Sequence, residues 1–178
     1  MSDPITNGEK EYLLKIARAT LAQRLVEGET FEPQTTNQHL WQKRGVFVTL
    51  TKSGQLRGCI GYIEPIEPLI IAVRDNALAA ANDPRFMPVT APELEKIKIE
   101  ISILSVPEPV EFKDIRKGDG VIIRKGINNA TYLPQVWKAL PQKDEFFGTL
   151  CQKAGLEADC YQGKEVEFYR YQAEVFSE

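Results

Sequence analysis

A stretch of six residues in a predicted β-strand constrains the fold more than any other part of the chain. It reads Leu56-Arg57-Gly58-Cys59-Ile60-Gly61. Glycine weakens the interior of a strand, so the two glycines predict a bulge or the close approach of another backbone or a ligand. Side chains alternate along a strand, and Arg57 and Cys59 are therefore predicted to share one face, about 7 Å apart. A neighbouring cation favours the thiolate, which is the reactive form of cysteine.

The regions around this stretch predict further strands with one aliphatic face. Residues 45–51 alternate, and residues 97–104 carry isoleucine at every second position. Such alternation is typical of a strand that packs one face on a core. Lys52-Ser53-Gly54-Gln55 has the composition of a hairpin turn. Apolar residues at helical spacing predict helices at residues 9–27 and about 67–81, and residues 165–176 predict a long final strand.

Strands from both ends of the chain, with helices between them in no strict alternation, predict an α+β fold. We expect two lobes within a single domain of 178 residues. The large lobe, with a mainly antiparallel sheet flanked by helices, is predicted at about residues 9–112 and 164–178. The smaller lobe, a hairpin with helices, is predicted at about residues 113–163. A chain of this length can bury a core without a disulfide or a metal.

Composition argues against several classes of protein. The formal net charge is −3 and no long basic run is present, so nucleic acid is not an expected partner, because phosphate binding needs clustered Lys and Arg. No segment approaches the roughly 18 apolar residues of a membrane span, and the N-terminus lacks the apolar region of a signal peptide. We therefore expect no membrane partner and a reduced, cytoplasmic protein.

The cysteines and the single histidine predict neither a metal site nor a bound cofactor. Cys59, Cys151 and Cys160 are too few and too scattered for a disulfide framework, and His39 is the only histidine. A zinc site or an iron–sulfur cluster lacks its usual ligands in such a chain. Cys151 and Cys160 are predicted to be packed thiols, because one falls in an apolar helix and the other in a loop.

Polar residues opposite the aliphatic faces define a candidate site. Glu100 and Ser102 lie on the polar side of the predicted strand 97–104. We expect this side and the side of Arg57 and Cys59 to face one cleft, with Asp83 just past a helix end at its border. The catalytic candidates are Cys59, Arg57, Glu100 and Asp83. The predicted cleft lining is Gly58, Gly61, Arg85, Phe86, Ser102 and Gln135.

Each candidate also has a purely structural interpretation. Cys59 can pack as a small apolar residue, since free cysteine is among the most buried residue types. Arg57 can form an ion pair with Glu100 or Asp83. Ser102 has no histidine to activate it. Gln135 follows a proline at a predicted helix start, where free backbone donors can bind an anion.

The residues also resemble a known family. Residues 56–61 look like the signature hexapeptide of the AMMECR family, whose prokaryotic members are called AmmeMemoRadiSam system protein A. Further matching segments follow in the expected order at residues 45–50, 83–86, 100–102, 133–136 and 153–156. The resemblance covers about residues 9–176. It implies a two-lobed α+β fold with a cleft near the signature, and as partners a Memo-type protein and a radical-SAM protein. It implies no established reaction and no catalytic residues.

Two hypotheses for function follow. In the first, the chain is a binding or accessory protein that offers its cleft to a small ligand or to a partner protein. In the second, it is an enzyme in which the thiolate of Cys59 is the nucleophile, Arg57 holds an anionic group, and Glu100 or Asp83 moves a proton. The first is favoured, because the sequence lacks a histidine partner, a metal set and a cofactor loop. A third possibility, that the protein is itself the substrate of a radical modification, stays open.

Overall fold

The computed structural model describes residues 4–178 and divides them into two compact units. One unit extends to Val106 and also contains Glu174–Glu178, and the other is Pro107–Ala173. Both units combine helices with an antiparallel sheet, which confirms the predicted α+β class. Within residues 4–178, no helix is both long and apolar enough to cross a membrane.

Three α-helices and eight strands form the two units. The helices are α1 (Asn7–Ala22), α2 (Leu69–Ala81) and α3 (Lys143–Lys153). The strands are β1 (Gly45–Lys52), β2 (Gln55–Tyr62), β3 (Ile97–Leu104), β4 (Glu108–Val110), β5 (Gly120–Lys125), β6 (Asn128–Tyr132), β7 (Glu167–Tyr171) and β8 (Ala173–Ser177). Short 3-10 helices connect several of them, among them Ala91–Lys96 and Pro134–Lys138.

The first unit has a sheet in the order β2-β1-β3-β8, covered on one face by α1 and α2. The alternating aliphatic residues of β1 and β3 point into this core. They are Val46, Val48, Leu50, Ile97, Ile99, Ile101 and Ile103, and all of them are buried. The small residues Ala77 and Ala80 of α2 are fully buried, as close packing of a helix on a sheet requires. The strand β2 lies at the edge of the sheet.

The second unit has a sheet in the order β4-β7-β5-β6 and an aromatic core. Trp137 stacks on Phe146 with ring centroids 3.8 Å apart, and its indole N–H donates to the carbonyl of Asp119 at 2.8 Å. This unit extends on both sides of residues 113–163, the stretch predicted for the small lobe. It does so because β4 and β7 pair with each other and β7 pairs with β5.

The predicted final strand at residues 165–176 is wrong as a single element. It is two strands, β7 and β8, which belong to different sheets. The break falls at Gln172, whose side-chain amide donates to Oδ1 of Asp119 at 2.6 Å. Both halves are rich in aromatic and β-branched residues, so the sequence pattern continues across a point where the chain changes sheets.

The prediction that Cys151 and Cys160 are packed thiols is also wrong. They form a disulfide within the second unit, with Cα atoms 6.0 Å apart. Cys151 lies in the last turn of α3, and Cys160 begins a short 3-10 helix. Gly155, with a φ of 74°, ends α3 in a left-handed conformation. The chain reverses direction after this glycine, which brings the second cysteine back to the helix.

Candidate functional site

Cys59, Thr49 and Glu100 form one row across three strands of the first unit. Thr49 in β1 is the register partner of Cys59 in β2 and of Glu100 in β3. Their side chains lie on the face opposite the aliphatic core, because the neighbouring residues Val48 and Leu50 point into that core. The structure therefore brings Cys59 and Glu100 to the same face of the sheet. One strand separates them, a distance of about 10 Å between backbones.

Cys59 is a free, half-buried cysteine whose sulfur accepts a hydrogen bond. The donor is the hydroxyl of Thr49, with Oγ1 and Sγ 3.3 Å apart. The backbone N–H and C=O of Cys59 both point away from β1, toward Asp83 and Arg85. Cys59 and Thr49 are thus a non-hydrogen-bonded pair, the type of antiparallel pair in which side chains approach most closely. Thr49, which the sequence did not single out, is the nearest polar partner of the thiol.

Asp83 is buried and fixes the segment that follows α2. Its carboxylate accepts from the N–H of Cys59 at 2.9 Å and from the backbone N–H of Arg85 at 3.0 Å. It also accepts from the Arg85 guanidinium, at 3.0 Å from Nε and 2.6 Å from Nη2. Four donors fill the lone-pair sites of a carboxylate. The guanidinium of Arg85 first, and then the N–H of Cys59, hold the pKa of Asp83 well below its usual range.

Arg85 is the exposed cation of the site. Its side chain is 57% exposed although Asp83 holds it in a two-point contact. Nη2 also donates to the carbonyl of Cys59 at 3.3 Å, and the guanidinium lies 5.6 Å from the ring centroid of Phe86. The hydrogen bond to Asp83 raises the pKa of Arg85, so the group stays charged. Phe86 itself is half-buried.

Arg57 does not pair with Glu100 or Asp83, the two partners considered from the sequence. Its guanidinium contacts Glu93, with Nε 3.1 Å from Oε1 and Nη2 3.2 Å from Oε2, and donates to the carbonyl of Pro88 at 3.2 Å. The register of β1 and β2 shifts between Leu50 and Thr51, and Arg57 is the residue without a partner in β1. This bulge redirects its side chain toward the 3-10 helix Ala91–Lys96.

Glu93 is a site residue that the sequence did not reveal. Besides Arg57 it binds Lys52, with Nζ 2.8 Å from Oε1, and it caps its own helix by accepting from the backbone N–H of Thr90 at 2.9 Å. Arg57 first, and then Lys52, hold the pKa of Glu93 far below its usual range. The pair Thr90 and Glu93 has capping-box spacing, which predicts a helix start. That spacing does not predict that Arg57 and Lys52 both bind Glu93.

The two glycines of residues 56–61 have the close contacts that their positions predict. A Cβ on Gly58 would lie 2.0 Å from the carbonyl oxygen of Ala80 in α2. A Cβ on Gly61 would lie 2.2 Å from the carbonyl oxygen of Val46 and 2.5 Å from the ring of Phe47. Both are contacts with other parts of the protein. These glycines therefore serve the packing of β2 between α2 and β1.

The remaining candidates lie in two places. Ser102 is buried in β3 and shares a row with Phe47 and Gly61. Gln135 belongs to the second unit, in the 3-10 helix Pro134–Lys138. Its Oε1 is buried and has no hydrogen-bond partner in the part of the chain that the structure describes. In residues 4–178, no group of three or more His, Cys, Asp or Glu side chains is arranged to hold a metal ion.

These features define an α+β protein of two units, in which a glycine-rich edge strand carries a free cysteine beside a fixed arginine. The chain belongs to the AMMECR1 family, whose sequence model matches residues 14–176. It is 42% identical to a protein of Methanothermobacter thermautotrophicus, over 98% of this chain and 97% of that one. A protein of Thermococcus onnurineus is 41% identical, over 94% of this chain and 89% of that one.

A solved structure shows the same fold. The crystal structure of the uncharacterised protein PH0010 from Pyrococcus horikoshii is similar to this chain with a TM-score of 0.88 and 38% sequence identity. The similarity covers 98% of this chain and 93% of that one. The family predicted from residues 56–61 and the other matching segments is therefore confirmed.

Proposed function

We propose that this chain is a binding or accessory protein whose recognition surface is the polar sheet face around Cys59 together with the edge at Arg85. The observation that carries this proposal is the way Asp83 holds Arg85. The guanidinium is fixed by two hydrogen bonds, and more than half of the side chain remains exposed. A fixed guanidinium loses little conformational freedom on binding, and its planar donors suit carboxylate and phosphate groups.

Binding is favoured over catalysis because the groups that an enzyme needs are already engaged. The carboxylate of Asp83 accepts four hydrogen bonds and is held ionised, which makes it a poor proton carrier at neutral pH. Arg57 contacts Glu93 and the carbonyl of Pro88 instead of a group beside Cys59, so it is poorly placed to hold a substrate anion at the thiol. Glu100 lies one strand away from Cys59, beyond direct hydrogen-bond reach.

The partners that we propose are a Memo-type protein and a radical-SAM protein. Support comes from membership of the AMMECR1 family and from the resemblance to its prokaryotic members, which implies these partners. In this proposal, Arg85 contacts an acidic group of a partner or of a small ligand, and Cys59 and Thr49 form the neighbouring surface. A cleft beside residues 56–61 is part of the same proposal.

The test is complex formation with the two purified partners from the same genome. Arg85→Gln removes the charge and should weaken the complex about tenfold, because a charge-assisted contact is lost. Arg24→Gln is the matched control, since Arg24 is an exposed arginine of the first unit in the helical segment that continues α1. Circular dichroism shows whether both variants fold. Equal affinities for wild type and Arg85→Gln, with both partners present, would refute the proposed surface.

One observation favours the alternative, a cysteine-dependent enzyme. The hydroxyl of Thr49 donates a hydrogen bond to the sulfur of Cys59, so a polar group contacts this free thiol directly. Cys59→Ser keeps the size of the side chain and removes thiol chemistry. A variant that retains the complex but loses function in the cell supports the enzyme. A variant that retains both supports the binding protein.

A further inference from the structure

A small pocket beside the β1–β2 turn is lined entirely by neutral or positively charged residues. Its volume is about 250 Å³, and its lining is Lys52, Ser53, Gln55, Leu56 and Arg57. Two cations, a hydroxyl and a side-chain amide provide hydrogen-bond donors, and no carboxylate lines the pocket. This lining is complementary to a small anion rich in acceptors.

The turn that forms one wall of this pocket is fixed. Lys52 and Gln55 are register partners, so Ser53 and Gly54 make a two-residue hairpin turn. Their φ values are 52° and 78°, the pair of positive values that a type I′ turn requires. Ser53 is the only residue other than glycine with a positive φ among residues 4–178. The hydroxyl of Ser53 is therefore presented from a rigid turn.

The two cations keep unused donors although they share one carboxylate. Glu93 binds Lys52 Nζ, Arg57 Nε and Arg57 Nη2. These contacts use one of three ammonium donors and leave Nη1 of Arg57 without a hydrogen bond in the part of the chain that the structure describes. Two positive charges against one negative charge give the cluster a net charge of about +1. Glu93 thus orients the guanidinium without neutralising the pocket.

We propose that this pocket binds a phosphate group, either free phosphate or the terminal phosphate of a small molecule. Lys52, Arg57 and Ser53 are the residues that contact it, and Glu93 is a positioning residue. A phosphate offers oxygen acceptors for each of these donors, and the pocket volume accommodates it. The phosphate site does not depend on the function proposed for the Cys59 face, so either proposal can be refuted without affecting the other.

The experiment is a titration of the full chain with inorganic phosphate, followed by ¹H–¹⁵N NMR at constant ionic strength held with KCl. Saturable shifts are expected at the amides of Ser53, Gly54 and Gln55, with a Kd on the order of 1 mM. Lys52→Gln should weaken binding about fivefold, and Ser53→Gly should weaken it while keeping the positive φ. Glu93→Gln keeps one oxygen acceptor to orient Arg57 and Lys52 but removes the negative charge that competes with phosphate, so it should strengthen binding about threefold.

Three results would overturn the proposal. Shifts that grow linearly with phosphate, or that KCl reproduces, show only general screening. If Arg24→Gln weakens phosphate binding as much as Lys52→Gln does, the net charge of the protein alone determines the affinity. Unchanged or weaker binding by a folded Glu93→Gln variant contradicts the role of Glu93.

Glycerol 3-phosphate distinguishes the two sources of the phosphate group. If it binds more tightly than inorganic phosphate, the ligand class is a phosphate ester; if it does not bind, the ligand is free phosphate. Arg85→Gln should leave the phosphate affinity unchanged.

Discussion

Asp83 accepts the backbone hydrogen bond of Cys59 that a neighbouring strand would otherwise accept. At the open edge of the first sheet, the carboxylate of Asp83 accepts the outward N–H of Cys59 at 2.9 Å. The guanidinium that Asp83 holds donates to the outward carbonyl of the same cysteine at 3.3 Å. Unpaired backbone groups at a sheet edge are open to pairing with another chain. The pair Asp83 and Arg85 blocks that pairing at the position where the free thiol lies.

Replacing Asp83 by asparagine should therefore loosen this edge. The amide oxygen can still accept the N–H of Cys59, but the ion pair with Arg85 is lost. One of the two buried carboxylate oxygens is also replaced by an amino group, which cannot accept a hydrogen bond. We expect Tm to fall by about 4 °C. Asp75→Asn is the control, because Asp75 also pairs with an arginine but is 43% exposed, and its Tm should change by less than about 1 °C. Equal shifts in the two variants would contradict the special role of Asp83.

The face of Cys59 was predictable from alternation, whereas the partner of Arg57 was not. Alternation placed the isoleucines of β3 in the core and left Glu100 on the other face with Cys59. Those positions follow from the two-residue period of a strand. The partner of Arg57 depends on a bulge and on the path of the chain to Glu93, which lies 36 residues further along the sequence. No local pattern encodes that path, so the sequence offered Glu100 and Asp83 and missed Glu93.

Gly58 should tolerate no side chain. A Cβ there would lie 2.0 Å from the carbonyl oxygen and 2.9 Å from the carbonyl carbon of Ala80, and both atoms belong to the backbone of α2. The helix and β2 must separate to admit Gly58→Ala. We expect the free energy of unfolding to fall by about 3 kcal/mol, measured by urea denaturation. Gly8→Ala in α1 meets nothing within 4 Å and should not destabilise the protein. A Gly58→Ala variant as stable as wild type would show that this contact is absent in solution.

The disulfide should be detectable by counting thiols. The native chain, unfolded without a reductant, should expose one reactive thiol, that of Cys59, because Cys151 and Cys160 are joined. Reduction should raise the count to three and lower the stability of the second unit. For a loop closed over a separation of 9 residues, the loss is about 2.5 kcal/mol by the chain-entropy relation. Three thiols before reduction would mean that the bond does not form.

The spacing of Cys151 and Cys160 does not predict their disulfide. Nine positions separate the two cysteines, and an isolated helix would carry the second one away from the first. The helix instead ends at Lys153, and Gly155 follows the C-cap Ala154 in a left-handed conformation. The direction of the chain after that cap depends on packing of Tyr161 against the aromatic core, near Phe112 and Phe147. Such packing is a property of the folded unit and is not visible in spacing.

Glu9 should give the first unit a stability that depends on pH. Burial raises the pKa of Glu9, but hydrogen bonds from Thr6 and Asn37, and the contact with His39 at 2.9 Å, outweigh it and lower that pKa from 4.5 to about 2. Because the folded pKa lies below the unfolded one, the ionised carboxylate stabilises the protein fully above about pH 5, and this contribution is lost as the pH falls toward 2.

Urea denaturation of wild type and Glu9→Gln between pH 2 and pH 6 measures this contribution directly. Near pH 6 the variant should be less stable by on the order of 2 kcal/mol, because the amide cannot replace a carboxylate that several donors contact at once. The difference should shrink as the pH falls from about 4.5 to about 2, since wild type then carries a neutral carboxyl group at the same position. Glu95→Gln, at an exposed position of the same unit, should show no such convergence. A stability difference between wild type and Glu9→Gln that is the same at pH 2.5 and pH 6 would mean that the lowered pKa of Glu9 does not contribute to folding.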